Sequence, residues 1–498
     1  MRTLLLLLLL ASPVSAQPRT RAEVTDYKET TAYAEVVAFI DDLAKRSPLV
    51  RTGTLGISHE GRKLPMVFLS DPPIGTSAEA IKSGKPIVFV IGNIHAGEVD
   101  GKEALLMLAR DMVEKKDPLL KELVFAFAPI FNADGNEKLG EHRPDQAGPP
   151  RVGTRHNGQD FDLNRDFIKL ETPEVRSLVA FLNEWNPHVF IDMHTTNGSY
   201  HRYTLTYEGG YCPAGDPRVA AFTRETILPD VTVRLKKATG YDSFFYGNFN
   251  RARTEWETVP PTARYGFHYV GLRNRVSILS ESYSYAPFKD RTLAGYHFVK
   301  GIAEGVAARK TDLLKLLKDA EKPGPDVVLR DKAVPFGRPV RLPGFVEEVK
   351  DGKRVRTDTT KDYELLFMGG SEPTLTVKRP AAYLVPPECK EAIAAVKRHG
   401  IAMEEQKEAT NYEVEVERVD KIERAQPFRK HRTTKLESTP RTDKRLVPAG
   451  TMVVKTAQPL GALAAYLLEA RSADGLATWN LFDEFIAEGK DFPVLRLK

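Results

Sequence analysis

His95 and Glu98 stand three residues apart at the end of an apolar run, where the chain must turn out of a strand. A pair so placed can aim an imidazole nitrogen and a carboxylate oxygen at one point. Zinc accepts this mixture of N and O donors, and a zinc site that does chemistry has three protein donors and one open position. Gly92 before the pair and Gly97 within it permit the sharp turn. His194, in Asp192-Met193-His194-Thr195-Thr196, follows another apolar run far downstream and is the candidate third donor. Between the two lies Arg155, followed by Asp162-Leu163-Asn164-Arg165. The Asn164 amide and the forked Arg165 guanidinium can grip a carboxylate. Arg155 can stabilise charge developing on a carbonyl oxygen, and Asp162 can take the free N–H of a ligating histidine and fix its tautomer. Glu281 ends a further apolar run, where a carboxylate beside a metal suits general-base work. Each residue alone also has an ordinary reading, as a core histidine bonded to backbone, a charged loop or a strand-end ion pair.

Those residues need elements to hold them. Residues 86–94, 123–131, 188–193 and 276–279 are rich in Val, Ile, Leu and Phe and apolar on both faces, which predicts buried strands. Residues 101–114 and the stretch after Pro173 carry apolar side chains at helical spacing. The alternation predicts an α/β fold, a mixed central β-sheet flanked by helices. Ligand sites in such sheets lie beyond the carboxyl ends of the strands. Around 307–325 the chain turns helical and Lys-rich and ends in Lys322-Pro323-Gly324-Pro325, a boundary signal. The expected organisation is therefore a leader at 1–16, a catalytic domain at 17–310, a linker at 311–326 and a second, strand-rich α+β domain at 327–498 with an accessory role. Within that last part, 412–419 reads as a strand and 390–398 and 460–469 as helices, and the basic stretch 424–445 reads as a solvated surface.

The joint pattern resembles the funnel-type zinc carboxypeptidases, the carboxypeptidase A-like family. His95-x-x-Glu98, Arg155 with the Asp162–Arg165 block, His194 and Glu281 carry the resemblance, in the family's order. Softer matches are 56–62 (GISHEGR) and 132–135 (NADG). It covers approximately 27–307. The resemblance implies one zinc per chain on His95, Glu98 and His194, with water in the open position. Glu281 would take a proton from that water and later give it to the leaving amine, while zinc and Arg155 stabilise the oxyanion. Asn164 and Arg165 would hold the terminal carboxylate, so the substrate is the C-terminus of a peptide or protein. The family's substrate-covering tyrosine is assigned to Tyr265, ahead of Tyr246 and Tyr269. Its specificity pocket falls near 266–271, where Arg273 and Arg275 either favour acidic side chains or pair with carboxylates. Two other readings stand: a same-fold amidase or deacylase acting on cell-wall peptides or N-acyl amino acids, and an inactive fold kept for peptide binding.

The remaining features set limits. Lys and Arg number 72 against 67 Asp and Glu, a net charge of +5 that does not argue for nucleic acid. Arg2, the apolar run 4–10 and Val14-Ser15-Ala16 read as a cleavable leader cut near Ala16, hence a secreted or periplasmic protein. That run is too short to span a membrane, and no later segment is long and apolar enough. Cys212 and Cys389 either pair between domains or stay as separate buried thiols. His201 and His268 are expected to line the cleft or the surface rather than bind metal. There is no Gly-x-Ser-x-Gly turn and no His-Glu-x-x-His, which disfavours serine-hydrolase and thermolysin-like chemistry. The sequence leaves oligomeric state open.

Overall fold

A computed structural model of the chain describes residues 17–322, 324–428 and 430–498. The predicted leader over 1–16 lies outside the described residues. The first ten strands are β1 (Val50–Ile57), β2 (Lys63–Leu69), β3 (Ile87–Gly92), β4 (Val124–Ala128), β5 (Val189–Thr196), β6 (Leu205–Gly209), β7 (Ser243–Phe245), β8 (Asn248–Phe249), β9 (Glu255–Glu257) and β10 (Val276–Tyr283). Eight of them form one mixed sheet in the order β1-β2-β4-β3-β5-β10-β6-β7. Its middle four, β4-β3-β5-β10, are parallel, and β1, β2 and β6 enter antiparallel.

Every residue of β3, β4 and β5 is buried, as expected of parallel strands covered on both faces. The helices Asp100–Glu114 and Phe288–Ala308 cover one face, where a Cβ on Gly101 would come within 2.7 Å of Met193 Cβ. The helix Pro173–Trp185 covers the other. Its Phe181 and Trp185 pack on Phe89 and Phe68 at ring separations of 4.5 and 4.7 Å. The chain leaves β3 for β4 on one side and reaches β5 on the other, so the strand order reverses between β3 and β5. A crevice opens at such a reversal, beyond the carboxyl ends of the strands.

The expected strands and helices of this half are present, with one shift. β5 and β10 run past 193 and 279 to residues 196 and 283, so His194 and Glu281 are inside strands rather than just after them. Most of the predicted linker is the helix Lys310–Ala320, in keeping with its helical composition, with Leu313 and Leu317 buried.

The rest of the chain adds β11 (Asp326–Val334), β12 (Val340–Lys350), β13 (Lys353–Met368), β14 (Gly370–Lys378), β15 (Ala382–Val385), β16 (Glu404–Glu405), β17 (Thr410–Arg424), β18 (Thr434–Val447), β19 (Met452–Lys455) and β20 (Leu495–Leu497). Six of these make a sheet in the order β16-β19-β15-β20-β17-β18. β13 pairs in parallel with β9, placing Leu366, Phe367 and Met368 beside Glu255, Trp256 and Glu257, so strands from both halves share the sheet β12-β13-β9-β8. The helices Lys390–Arg398 and Gly461–Leu468 occur where the sequence predicts them. Cys212 and Cys389 are both free and buried. Among the described residues no helix is long and apolar enough to cross a membrane.

Candidate metal centre and active site

The candidate metal-ligating side chains converge because β3 ends at Gly92 and the chain turns through 93–98 before the helix Asp100–Glu114, while neighbouring β5 delivers His194. His95 Nδ1 stands 3.1 Å from Glu98 Oε1, His194 Nδ1 2.9 Å from Glu98 Oε2, and the two Nδ1 atoms 3.2 Å apart. Donors about 2.0–2.1 Å from a tetrahedral zinc are separated by roughly 3.3 Å, so these three groups fit such an ion. They are the one group of three His, Cys, Asp or Glu side chains among the described residues that can hold a metal.

The outer nitrogens are also committed. His95 Nε2 meets Asp162 Oδ1 at 3.1 Å, and Asp162 Oδ2 accepts from Arg155 Nε at 3.0 Å. An Nε2–H on that carboxylate leaves the Nδ1 lone pair facing the shared point. His194 Nε2 lies 3.0 Å from Asp192 Oδ2, a charge contact without hydrogen-bond alignment, and 3.2 Å from the Asn164 amide nitrogen. Burial on its own would raise the Glu98 carboxyl, but the two imidazoles hold it well below the carboxylate range. Asp162 is likewise held low against burial, by His95, Arg155 and Arg165. Burial would lower His194, yet Asp192 and Glu98 raise it well above an ordinary histidine.

Glu281 is fixed by register. In the parallel β5–β10 pair its Cα partner is His194, so the two side chains leave adjacent strands side by side, about 4.8 Å apart. Its side chain keeps some exposure to the cavity, while the protein around it pushes the carboxyl up to about 8. Burial is the main cause; His194 opposes it, Glu98 adds to it, and Arg143 and Arg155 oppose it.

A cavity of about 150 Å³ opens over these groups. It is lined by His95, Glu98, Arg155, Asn164, Arg165, His194, Tyr246, Tyr265 and Glu281, with Val259, Phe267 and Leu279 as apolar wall. Of the predicted site residues only Asp162 is absent from the lining; it sits behind His95. The Asn164 carbonyl oxygen accepts from Gly266 N–H at 2.8 Å, which turns its NH₂ toward His194. The Arg165 guanidinium lies over the Tyr265 ring at 4.3 Å. Tyr246 also faces the cavity, its hydroxyl pushed up to about 12 by burial and then by Glu281.

Other expectations need correction. Tyr269 is buried away from the cavity with its hydroxyl on His399 Nδ1. Arg273 bonds Tyr269, Asn183 and the His399 carbonyl, and neither it nor Arg275 lines the cavity; Arg275 bonds Asn186 and pairs with Glu321 at 3.5 Å, the carboxylate pairing that is one of the two expected alternatives. His201 and His268 are both fully enclosed rather than on the surface. His201 stacks on Tyr283, and His268 packs among Tyr211, Tyr265 and Phe267.

Several contributors were given no role on the sequence alone. Arg143 Nη1 meets Glu98 Oε1 at 3.0 Å, from a Pro- and Gly-rich loop. Thr195 N–H donates to Glu98 Oε2 at 3.0 Å. Its hydroxyl donates to Asp100, which is in turn held at 3.0 Å by the fully buried Arg291 Nε. Asp192 stood inside the His194 motif without a role assigned to it.

Residues 36–239 match the zinc carboxypeptidase family. That stretch includes His95, Glu98, Arg155, Asp162, Asn164, Arg165 and His194, while Tyr265 and Glu281 lie beyond it. The chain is 24% identical over 467 residues to "Carboxypeptidase 2" of Trichophyton rubrum, covering 89% of this chain and 81% of that one. A shorter likeness, 30% identical over 161 residues, is to "Carboxypeptidase D" of Mus musculus, covering 27% of this chain and 12% of that one. Among solved structures, the carboxypeptidase A from Helicoverpa armigera overlaps with a TM-score of 0.44 at 16% identity, covering 57% and 75% of the two chains.

Proposed function

We propose, from the match of residues 36–239 to the zinc carboxypeptidase family and the likeness to carboxypeptidase 2, that this chain is a metallocarboxypeptidase that removes single C-terminal residues from peptides, with Glu281 as the general base. The observation that supports this most is the one cavity shared by the metal triad, Glu281, Arg155, Asn164 and Arg165. Held by His95, Glu98 and His194, zinc supplies Lewis-acid chemistry, lowering the pKa of water and polarising a carbonyl.

The side chains do the rest. Glu281 takes a proton from the attacking water and passes it to the departing amine. Arg155, oriented by Asp162, donates N–H groups to the carbonyl oxygen as negative charge collects there. Asn164 and Arg165 hold the free carboxylate of the terminal residue, with Tyr265 beneath the guanidinium. That grip places the last peptide bond, and no other, within reach of Glu281. Asp162 keeps the His95 ring in one tautomer.

The test is a panel of short peptides followed by mass spectrometry with zinc-loaded protein. Stepwise loss of single C-terminal residues, stopped by C-terminal amidation and by Glu281→Gln, is the expected result. Internal cleavage, or cleavage indifferent to amidation, would overturn it. The apolar leader supports an exported, secreted or periplasmic protein; recovery of mature chain outside the cytoplasm with its N-terminus near Gln17 is the corresponding check.

A further inference from the structure

The two segments that carry Arg165 and Tyr265 do not stand alone: both lean on a pair of buried side chains from the far end of the chain. Asp474 and Trp479 are fully enclosed. The Asp474 carboxylate accepts the backbone N–H of Arg264 at 2.6 Å, Arg264 Nε at 3.0 Å and the Trp479 indole N–H at 2.8 Å. The Trp479 ring then meets two cations. Lys169 Nζ stands 4.2 Å from the ring centroid and the Arg264 guanidinium 4.9 Å. Contacts of this kind are stronger where water is excluded.

Each cation belongs to a segment of the cavity wall. Lys169 Nζ donates to the backbone carbonyl of Arg165 at 2.6 Å. Arg264 directly precedes Tyr265, whose ring supports the Arg165 guanidinium, and Gly266 N–H fixes the Asn164 side chain. A charge-assisted bond to a buried backbone N–H is short and directional, so Asp474 sets where the Tyr265 turn sits. Trp479 sets where Lys169, and through it Arg165, sits.

We propose that Asp474 and Trp479 are positioning residues for the carboxylate grip, so that the C-terminal part of the chain is a component of the active site and not an appendage to it. The inference rests on reading Arg165 and Tyr265 as substrate-facing. It predicts a loss of affinity for the free carboxylate with the hydrolytic step left largely intact, because no contact of the pair reaches the metal ligands or Glu281.

The experiment compares zinc-loaded full-length protein with Trp479→Leu, Asp474→Asn and Trp479→Phe. It measures KM and kcat on a short peptide, the affinity for 3-phenylpropionate by calorimetry, and bound zinc. Trp479→Leu and Asp474→Asn are expected to raise KM and weaken 3-phenylpropionate about tenfold, with kcat within about threefold and zinc content unchanged. Trp479→Phe keeps an aromatic face under both cations and should restore most of the affinity. KM and affinity within twofold of the parent in both disruptive variants would overturn the proposal. So would a fall in kcat, zinc and folded fraction in step, which marks a merely structural role. A parent protein that cleaves nothing would count against the proposed activity instead, and the calorimetric comparison would still decide this inference.

Discussion

A carboxyl that must accept a proton has to be ionised first, and burial pushes Glu281 up to about 8. The raised value means the group is protonated below it and becomes a base as pH rises through it. A bound divalent cation favours the ionised form. The acid limb of kcat/KM in the zinc-loaded enzyme is therefore expected below about 8. An acid limb that persists at the same pH in Glu281→Gln would argue against Glu281 as the base. Glu281→Gln should lose roughly 10²–10⁴-fold in kcat while retaining its zinc, read by turnover and metal analysis on one sample. That these residues would meet in one cavity was legible because the candidate ligands and base follow apolar runs, where type and spacing are informative. Arg143 was not, because its contact with Glu98 depends on how the loop 139–150 folds back, and nothing local encodes that. Arg273 and Arg275 lie near Glu281 in sequence, but they follow the helix Gly266–Leu272 and turn toward Asn183, Asn186 and Glu321 instead of the cavity, which sequence proximity does not encode.

At the scale of elements, the helix Asp100–Glu114 can reach its place only because Gly101 carries no side chain. An added Cβ would meet Met193 Cβ at 2.7 Å, one residue from His194. Alanine is the better helix former by about 1 kcal/mol, yet a clash with a packed strand costs about 1–3 kcal/mol. Gly101→Ala should therefore lower stability in a urea titration and weaken zinc binding, since the helix carries Asp100 behind Thr195 and follows directly on Glu98. A stabilised variant would show that the helix can move off the sheet at no cost. The strands of this region were readable from the sequence because buried parallel strands are apolar throughout. The extent of β5 and β10 was not, because polar residues 194–196 and 280–282 continue the strands only by virtue of their neighbours. The hairpin of β17 and β18 shows the same limit: 412–419 alternates visibly, but the pairing that extends it to Arg424 is a long-range event.

Among the described residues several histidines are held neutral by burial, and two of them, His201 and His399, accept a hydrogen bond that acid should break. His201 and His399 are both lowered to about 3, chiefly by burial. Each uses Nδ1 as an acceptor, from Tyr203 N–H at 3.2 Å and Tyr269 O–H at 2.8 Å, and a proton there breaks the bond. With folded values below the unfolded 6.5, the unfolded chain binds more protons as pH falls. Stability is thus full above 6.5 and is lost toward 3, at up to about 1.4 kcal/mol per pH unit for each histidine. Urea midpoints between pH 7 and 4 should fall accordingly, and His201→Phe should flatten the slope; an unchanged slope would remove His201 from the account. Chelation is expected to destabilise the chain as well, by about 2.7 kcal/mol relative to free zinc at a hundredfold excess over its Kd, visible as a drop in Tm that added zinc reverses. The division into catalytic and accessory parts was read from a composition shift near 307–325. What composition could not reveal is that β9 and β13 pair across that shift, because a three-residue parallel contact leaves no periodic trace.

That pairing has a consequence in time. Tyr246 and Val259, on the cavity wall, flank β8 and β9, whose sheet is completed by residues 366–368. A chain emerging from its N-terminus has the three candidate metal ligands and Glu281 in hand by residue 281, yet lacks the strand that fastens this wall for more than eighty residues more. On the proposed function, the growing chain would then hold its metal donors before the wall of its cleft can be completed.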